Sequence, residues 1–366
     1  MKRKLLSVVL VTAMVASLVG CGGGGGSSAP ETSEPAAEEA APAQEDEAAA
    51  PAEEADTSAS EDNSQYTIAT IVKLTGVAWF DRMEIGVNQF AKDTGVDAYQ
   101  TGANTADPAA QIAEIEAAIA AGVDAICVVP NSTESLETVL QKARDEGIIV
   151  ITHEASDVQN ADYDIEAFKN DEYGAHFMDQ LGEMMGGEGQ WTTFVGSLTA
   201  TSHNEWVDAS SAKQEAEYPN MELVSNKNET TEDSDVAYTK TKELLQAYPD
   251  LVGFQGSAMT DAPGVARAIE EAGKADSTYV IGTSLVSVAG QYLETGAIDE
   301  ISFWDPALAG YAMNELALKL LKGEEVGDGL SLEAEGYQNL SLVDGKVFYG
   351  SAWIDVTVDN MGDYDF

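Results

Sequence analysis

Residues 108–152 read PAAQIAEIEAAIAAGVDAICVVPNSTESLETVLQKARDEGIIVIT and alternate two amphipathic segments with two short apolar runs. The pattern predicts helices over residues 108–121 and 134–146, and strands over residues 125–129 and 148–152. Because both strands are apolar at almost every position, each is expected to be buried on both faces. Such strands, separated by helices, indicate a parallel sheet that helices cover on both sides.

The helix predicted over residues 108–121 shows how local sequence specifies these elements. Ile112, Ile115 and Ile119 lie on one face at helical spacing, and a proline stands at the first position, where it is well tolerated. Gly122 follows the last turn and is expected to end the helix.

The same alternation continues on both sides of this stretch. Upstream, it predicts a strand, a helix and a strand over residues 66–72, 83–92 and 96–100. Downstream, it predicts a second series with helices over 171–185, 204–217, 235–247 and 261–272, and strands over 191–195, 221–225, 251–254 and 278–282. A strand over 300–304 and a helix over 307–321 follow, and then two strand-like runs, 337–343 and 346–354, joined by a hairpin signal at Asp344-Gly345. Two such series predict an α/β protein with two Rossmann-like lobes, each built on a parallel central sheet, and a cleft between them.

The amino-terminal segment has the pattern of an export signal followed by a tether. Three basic residues precede an apolar run over residues 5–18, which is too short for a stable membrane span, so residues 1–20 are expected to be cleaved. Leu18-Val19-Gly20-Cys21 resembles the lipobox of bacterial lipoproteins, which implies that Cys21 carries lipid. Residues 21–64 are rich in Gly, Ala, Pro and Glu, and we expect a disordered acidic tether there. The protein is therefore expected at the extracytoplasmic face of the cell membrane, held by its lipid.

Composition and motifs argue against several classes of function. The formal net charge of -46 disfavours nucleic acid or anionic lipid as a partner. The sequence contains no phosphate loop, GxSxG, HExxH or CxxC motif, and no GxGxxG follows the first strand. An exported hydrolase or metal-dependent lyase remains the enzyme alternative. Cys127, the second of two cysteines, lies in an apolar run and is expected to be a buried structural thiol.

The chain contains three histidines, His153, His176 and His203. His153 and His203 both follow predicted strands and could meet in a cleft. A metal site usually needs three or four protein ligands, and the spacing supports none, so we expect ligand hydrogen bonding there and neither metal nor cofactor. His176 lies inside a helix, where packing or a surface position is expected.

The candidate ligand-binding residues lie where predicted strands end, because ligands of open α/β sheets bind beyond the carboxyl ends of the strands. The candidates are Lys73, Trp79, Phe80, Glu154, Ser202, His203, Asn204, Ser257, Met259, Thr283, Trp304 and Asp305. Aromatic faces with carboxylates and amides suit a sugar, whose C–H faces stack on rings and whose hydroxyls take charged hydrogen bonds. We place Trp79 and Phe80 in the cleft because they precede the predicted helix; core packing is the alternative for them and for Trp304, and a solvated position for Lys73.

Three segments resemble one family of proteins. Residues 71–80 (IVKLTGVAWF), 122–126 (GVDAI) and 303–306 (FWDP) are similar to type I periplasmic sugar-binding proteins of ABC transporters, in particular the autoinducer-2-binding and rhamnose-binding branch. The resemblance implies two lobes joined by a three-crossover hinge, the first over residues 66–165 and 300–325 and the second over 166–299 and 326–366. It also implies a monomer without cofactor, whose lobes close on a small ligand and dock on a permease driven by its ATPase.

The resemblance also bears on the ligand. In the autoinducer-2 branch, the lysine after the first strand matches Lys73, an aspartate matches Glu154, and an Asp-Gln pair falls on Ser202 and His203. A Pro and an Ala fall near Ser257 and Met259. Because a site built for particular hydroxyls rejects other arrangements, these changes favour a monosaccharide or a polyol, with autoinducer-2 kept as a possibility.

Other functions share this fold. A nucleoside-binding lipoprotein is the alternative on ligand, since aromatic residues suit a base as well as a sugar. A sensor subunit that presents ligand to a membrane kinase or chemoreceptor is the alternative on role. A sugar-responsive transcription regulator would need an amino-terminal helix-turn-helix, whereas this chain begins with a signal and an acidic tether.

Overall fold

The computed structural model describes residues 62–366. The predicted signal over residues 1–20, the predicted lipid attachment at Cys21 and nearly all of the predicted tether lie outside these residues. Within them, no helix is both long and apolar enough to cross a membrane.

The chain alternates strands and helices over nearly its whole described length. The elements up to the first change of lobe are β1 (Thr67–Val72), α1 (Ala78–Thr94), β2 (Asp97–Gly102), α2 (Pro108–Ala121), β3 (Ala125–Val128), α3 (Thr133–Asp145), β4 (Ile149–Thr152) and β5 (Tyr163–Glu166). Next come α4 (Asn170–Met185), β6 (Glu188–Val195), α5 (Thr201–Glu217), β7 (Asn220–Glu229), α6 (Ser234–Ala247), β8 (Leu251–Gly256), α7 (Asp261–Glu271), β9 (Tyr279–Thr283), α8 (Val286–Thr295) and β10 (Glu300–Phe303). The last are α9 (Pro306–Leu321), β11 (Ser341–Val343), β12 (Val347–Tyr349) and β13 (Ile354–Val356).

The strands form two sheets, one in each lobe. The first sheet has the order β11-β12-β5-β4-β3-β1-β2 and the second β13-β10-β9-β8-β6-β7. Strand pairs are parallel except β11 with β12 and β10 with β13. The predicted α/β fold with two lobes and parallel-dominated sheets is confirmed.

The central strand β3 shows why its sequence is apolar throughout. Its four residues are fully buried, and β3 lies between β1 and β4. Ile126 and Val128 pack in one core cluster with residues of α2 and α3, whereas Cys127 belongs to the cluster that α1 and α9 share. Burial raises the pKa of the Cys127 thiol, in agreement with the predicted structural role.

The assignment of the late segments to the lobes is partly wrong. Strand β10, predicted for the first lobe, pairs with β9 in the second, and only α9 packs on the first-lobe strands. The hairpin β11–β12, predicted for the second lobe, pairs through β12 with β5 of the first. The predicted second run, 346–354, is split, because β13 returns to the second sheet. The chain therefore changes lobe three times, between β5 and α4, between β10 and α9, and between β12 and β13.

Local sequence also misplaced or missed three elements. Helix α1 begins at Ala78, five residues before the prediction, because Val77 offers no side-chain cap and aromatic residues fill the first turn. Trp79 and Phe80 are thus helical rather than in a loop. Strand β5 was not predicted because Asp164 interrupts its apolar pattern. In the structure, the Asp164 carboxylate is buried and accepts a hydrogen bond from Thr152 at 2.7 Å. Helix α8 was not predicted.

Candidate functional site

The carboxyl ends of both sheets meet at a cavity between the lobes. The cavity has about 420 Å³ of space that no protein atom fills, part of it open to solvent. Its walls are Lys73, Leu74, Val77, Trp79, Phe80, Glu154, His203, Trp206, Glu232, Ser257, Met259, Thr260, Thr283 and Trp304. Nine of the twelve predicted ligand-binding residues are brought together here.

A buried lysine between two carboxylates lies at the centre of the cavity wall. Lys73, directly after β1, is only 5% exposed, so the solvated position considered for it is wrong. Its Nζ lies 3.1 Å from Oε2 of Glu154 in its own lobe and 3.5 Å from Oε1 of Glu232 in the other. Burial acts to lower the pKa of Lys73, but the two carboxylates outweigh it and hold this pKa above its usual value. Burial likewise acts to raise the pKa of Glu154, and Lys73 outweighs it, so this pKa is lowered and the pair stays charged.

The two carboxylates are carried on left-handed backbone. Glu154 has φ 59° and Glu232 φ 57°, with Thr231 at φ 55° beside it. Such conformations cost about 1–3 kcal/mol in non-glycine residues and persist where the surrounding structure holds them. Gly196 makes room for Glu232, since a Cβ at position 196 would lie 2.4 Å from Glu232 Oε1. The strained backbone at Glu154 and Glu232 therefore directs both carboxylates toward Lys73.

Aromatic rings form the apolar walls, and Trp304 lies at their centre. The rings of Trp79 and Trp206 contact Trp304 nearly edge-on, with centroids 4.7 and 5.8 Å away. The Trp304 indole donates to Nε2 of His153 at 3.1 Å, and Nδ1 of His153 faces the carbonyl of Ile165. Burial lowers the pKa of His153, so it is neutral with its proton on Nδ1. His153 therefore orients Trp304 from behind and does not line the cavity.

His203 is a neutral imidazole at the cavity wall. Its Nδ1 accepts a hydrogen bond from the backbone N–H of Gly196 at 3.2 Å, which leaves Nε2–H as a donor. Burial, and then the charge of Lys73, lowers the pKa of His203 to about 4. At neutral pH, His203 is consequently uncharged beside the charged pair of Lys73 and Glu154.

Two hydroxyls of the second lobe reach the cavity wall without a partner. Ser257 Oγ and Thr260 Oγ1 are buried, and neither has a hydrogen-bond partner within residues 62–366. The loop that carries Ser257 is held by Asp261, whose carboxylate accepts from the N–H groups of Ser257 and Ala258 at 3.1 and 2.8 Å. Because a buried unpaired hydroxyl costs about 1–3 kcal/mol, these two groups point to a polar binding partner in the cavity.

Residues 68–325 match the family described as periplasmic binding protein domain. The chain belongs to this family. It is 24% identical over 271 residues to the D-ribose/D-allose-binding protein of Pseudomonas aeruginosa, covering 70% of this chain and 82% of that protein. It is 23% identical over 276 residues to the xylitol-binding protein of Mycolicibacterium smegmatis, covering 74% and 76%. Among solved structures, LsrB from Clostridium saccharobutylicum in complex with AI-2 aligns with a TM-score of 0.75 at 22% identity, covering 82% of this chain and all of that one.

Membership in the periplasmic binding protein family agrees with the resemblance drawn from residues 71–80, 122–126 and 303–306. Members of the family are substrate-binding proteins of transporters and not enzymes. Ligand binding is therefore the function associated with this fold. The cavity between the lobes is the place where this periplasmic binding protein can bind its ligand.

Three predicted site residues lie outside the cavity wall. Ser202 lies behind Glu154, to which its hydroxyl donates at 3.3 Å. The amide of Asn204 donates to the backbone of its own helix start, at Ala200 and at Ser197. Asp305 caps α9 by accepting from the N–H of Ala307 at 2.8 Å, and it binds Arg82 through both oxygens. These side chains support the site from outside.

Two important wall residues were missed from the sequence. Trp206 lies three residues after His203 on α5, so helical spacing could have indicated it. Glu232 follows β7 in an acidic loop where no local pattern distinguishes it from its neighbours. Only its approach to Lys73 from the other lobe reveals it.

Proposed function

We propose that this periplasmic binding protein takes up a neutral monosaccharide or polyol between its lobes and delivers it to an ABC permease. The proposal rests on one observation above all. Indole and phenyl rings share a single inter-lobe cavity with a charged Lys73 and with buried hydroxyls, at Ser257 and Thr260, that have no partner within residues 62–366.

Each part of the cavity matches one property of a polyhydroxylated ligand. The rings of Trp79, Phe80 and Trp304 offer apolar surface to C–H groups. Lys73 donates and Glu154 accepts in hydrogen bonds to hydroxyls that are charge-assisted and about twice as strong as neutral ones. Ser257 would find in a sugar hydroxyl the partner that residues 62–366 do not supply.

The charges of the wall favour a neutral ligand over an acidic one. Lys73 is already neutralised by Glu154 at 3.1 Å and also faces Glu232 at 3.5 Å. A sugar acid or sugar phosphate would bring a further negative charge beside these carboxylates, which is unfavourable in a buried site.

The relatives support the same class of ligand. The two similar proteins are named for ribose and allose and for xylitol, which are sugars and a polyol. At 23–24% identity, the particular ligand is open, and AI-2, named in the similar solved structure, is included in the test below.

Attachment and delivery complete the proposal. Residues 1–20 would direct export, lipid on Cys21 would hold the protein at the membrane, and residues 22–64 would give the binding lobes reach toward the permease. The closed lobes would then present one surface to the permease.

The test is a thermal-shift and calorimetry screen of the purified protein against pentoses, hexoses, pentitols, hexitols, sugar phosphates, AI-2 and nucleosides. A ligand at about a hundred times its dissociation constant stabilises the fold by about 2.7 kcal/mol. We expect saturable stabilisation by one or more sugars or polyols and none by sugar phosphates. Binding restricted to nucleosides or to AI-2 would contradict the proposed ligand class, and the absence of any hit would contradict the binding site itself.

A further inference from the structure

We propose that the second lobe carries a binding site for a divalent transition metal, such as Zn²⁺, formed by His176, Glu300 and Asp355. The site lies at the edge of the second sheet, away from the sugar cavity, and does not depend on the proposed sugar-binding function. One ligand atom from each of these side chains lies within 4.8 Å of the other two.

Strand pairing brings the two carboxylates together. In the antiparallel pair of β10 and β13, Asp355 stands opposite Ser302. Glu300 precedes Ser302 by two residues, so alternation places Glu300, Ser302 and Asp355 on the same face of the sheet. Glu300 and Asp355, 55 positions apart in the chain, thus present their acids side by side.

Helix α4 supplies the nitrogen ligand from above that face. His176 Nε2 lies 2.9 Å from Asp355 Oδ2, at hydrogen-bond distance, so the two atoms need to separate only slightly, to about 3.4 Å, to bind one tetrahedral Zn²⁺. Its ring stacks on Trp353, with centroids 5.3 Å apart and planes 21° from parallel. Gln180, one turn further along α4, contacts Glu300 through its amide nitrogen, and its Oε1 is buried with no hydrogen-bond partner among residues 62–366.

Neighbouring side chains orient the two carboxylates of the proposed site, as the residues behind the ligands do around a bound metal ion. The hydroxyl of Ser302 donates to Asp355 Oδ1 at 2.7 Å, and Gln180 donates to Glu300, so each carboxylate has a second partner. His176 and Asp355 keep 27% and 34% of their side chains exposed, which gives an ion access from solvent. Glu300 is only 9% exposed.

The donor set favours one class of ion. One imidazole nitrogen with two carboxylates suits Zn²⁺ and neighbouring transition metals, whereas Ca²⁺ and Mg²⁺ prefer oxygen-only sites with more ligands.

The experiment is a calorimetric titration of the purified full protein with ZnCl₂ in excess Mg²⁺, which occupies non-specific carboxylates of this acidic chain. We expect one Zn²⁺ per chain, with binding weakened about tenfold or more in His176→Gln and in Glu300→Gln. Asp179→Asn, which removes a half-exposed carboxylate on the same helix, is the matched control and should bind Zn²⁺ as the wild type does. Co²⁺ in place of Zn²⁺ should give d–d absorption that His176→Gln lacks.

Unchanged Zn²⁺ binding in both variants, or none in the wild type, would overturn the proposal. Thermal unfolding in chelator shows whether each variant is folded, and Glu300→Gln serves if His176→Gln is not. Sugar binding, measured on the same samples, should be unchanged in His176→Gln. A failure of the metal site is thereby distinguished from a failure of the sugar-binding proposal.

Discussion

Lys73 illustrates how a single residue takes its role from its surroundings. A lysine at a strand end is ordinarily solvated, yet here it is buried and lies against one acid from each lobe. Removing one partner of a buried pair is costly because the other charge is left without compensation. Lys73 with its two acids is therefore a connection between the lobes as well as a binding group.

Glu232→Gln tests the role of a cavity carboxylate that was not predicted from the sequence. The change keeps the shape of the side chain but removes its charge, so ligand hydroxyls and Lys73 lose a charged partner, which is worth about 1.5–3 kcal/mol. We expect sugar affinity to fall by about tenfold or more, measured by calorimetry. Glu222→Gln, an exposed position on the adjacent β7, is the control and should leave affinity unchanged. Equal affinities in the two variants would remove Glu232 from the binding site.

His203 should make stability depend on pH. Its folded pKa is about 4, against an ordinary value of 6.5, because it is buried and faces Lys73. The unfolded chain therefore takes up a proton that the folded chain refuses, so the contribution of His203 is complete above pH 6.5 and is lost as pH falls toward 4.

The expected size is about 3 kcal/mol between these limits. We would measure the free energy of unfolding at pH 7 and at pH 4.5 for the wild type and for His203→Gln. The wild type should lose more stability than the variant over this interval. Parallel losses in both proteins would mean that His203 is not the group responsible.

At the scale of elements, the close approach of α1 and α9 positions the first-lobe wall of the cavity. A Cβ at Gly86 on α1 would lie 1.8 Å from the carbonyl oxygen of Ala307 in the first turn of α9. That turn directly follows Trp304 and Asp305, and Arg82 of α1 binds Asp305. The separation of the two helices therefore affects the position of Trp304.

Gly86→Ala should force these helices apart. We expect a loss of about 1–3 kcal/mol or more in unfolding free energy from overpacking, together with weaker sugar binding. Gly327→Ala is the matched control, because nothing lies within 4 Å of a Cβ there. Denaturant unfolding of both variants gives the comparison, and a Gly86→Ala protein as stable as the control would contradict the packing argument.

At the scale of the whole molecule, the lobes are joined by three crossovers and also by bonds across the cleft. Thr201 of the second lobe contacts Thr133 at 3.2 Å and donates to Asp157 at 2.8 Å in the first. Ser156 of the first lobe donates to Glu205 of the second at 2.8 Å. These short polar contacts hold the lobes together outside the cavity wall, while Lys73 and Glu232 do so within it.

Cys21→Ala tests the proposed attachment of the whole protein. Without the thiol that would carry the lipid, acylation at the lipobox-like segment cannot occur, and the protein should appear in the medium or in the soluble extracytoplasmic fraction. Immunoblots of membrane and soluble fractions measure this, with Cys127→Ala as the control that stays with the membrane. A Cys21→Ala protein that remains fully membrane-bound would contradict the anchor.

Local sequence is enough to establish the type of each long element and the position of several site residues. The apolar strands within residues 108–152 specify burial on both faces, and strand ends specify Lys73 and Glu154 as cavity candidates. This succeeds because burial and helical spacing repeat every few residues, so a short window contains the whole signal.

Tertiary structure alone decided which distant segments meet. The hairpin β11–β12 joins the first lobe through pairing with β5, and Glu232 meets Lys73 from the opposite lobe. Likewise, His153 turned out to support Trp304 because a partner 151 residues away lies against it. Such contacts depend on residues far apart in the chain, and the pattern around either partner contains no information about the other.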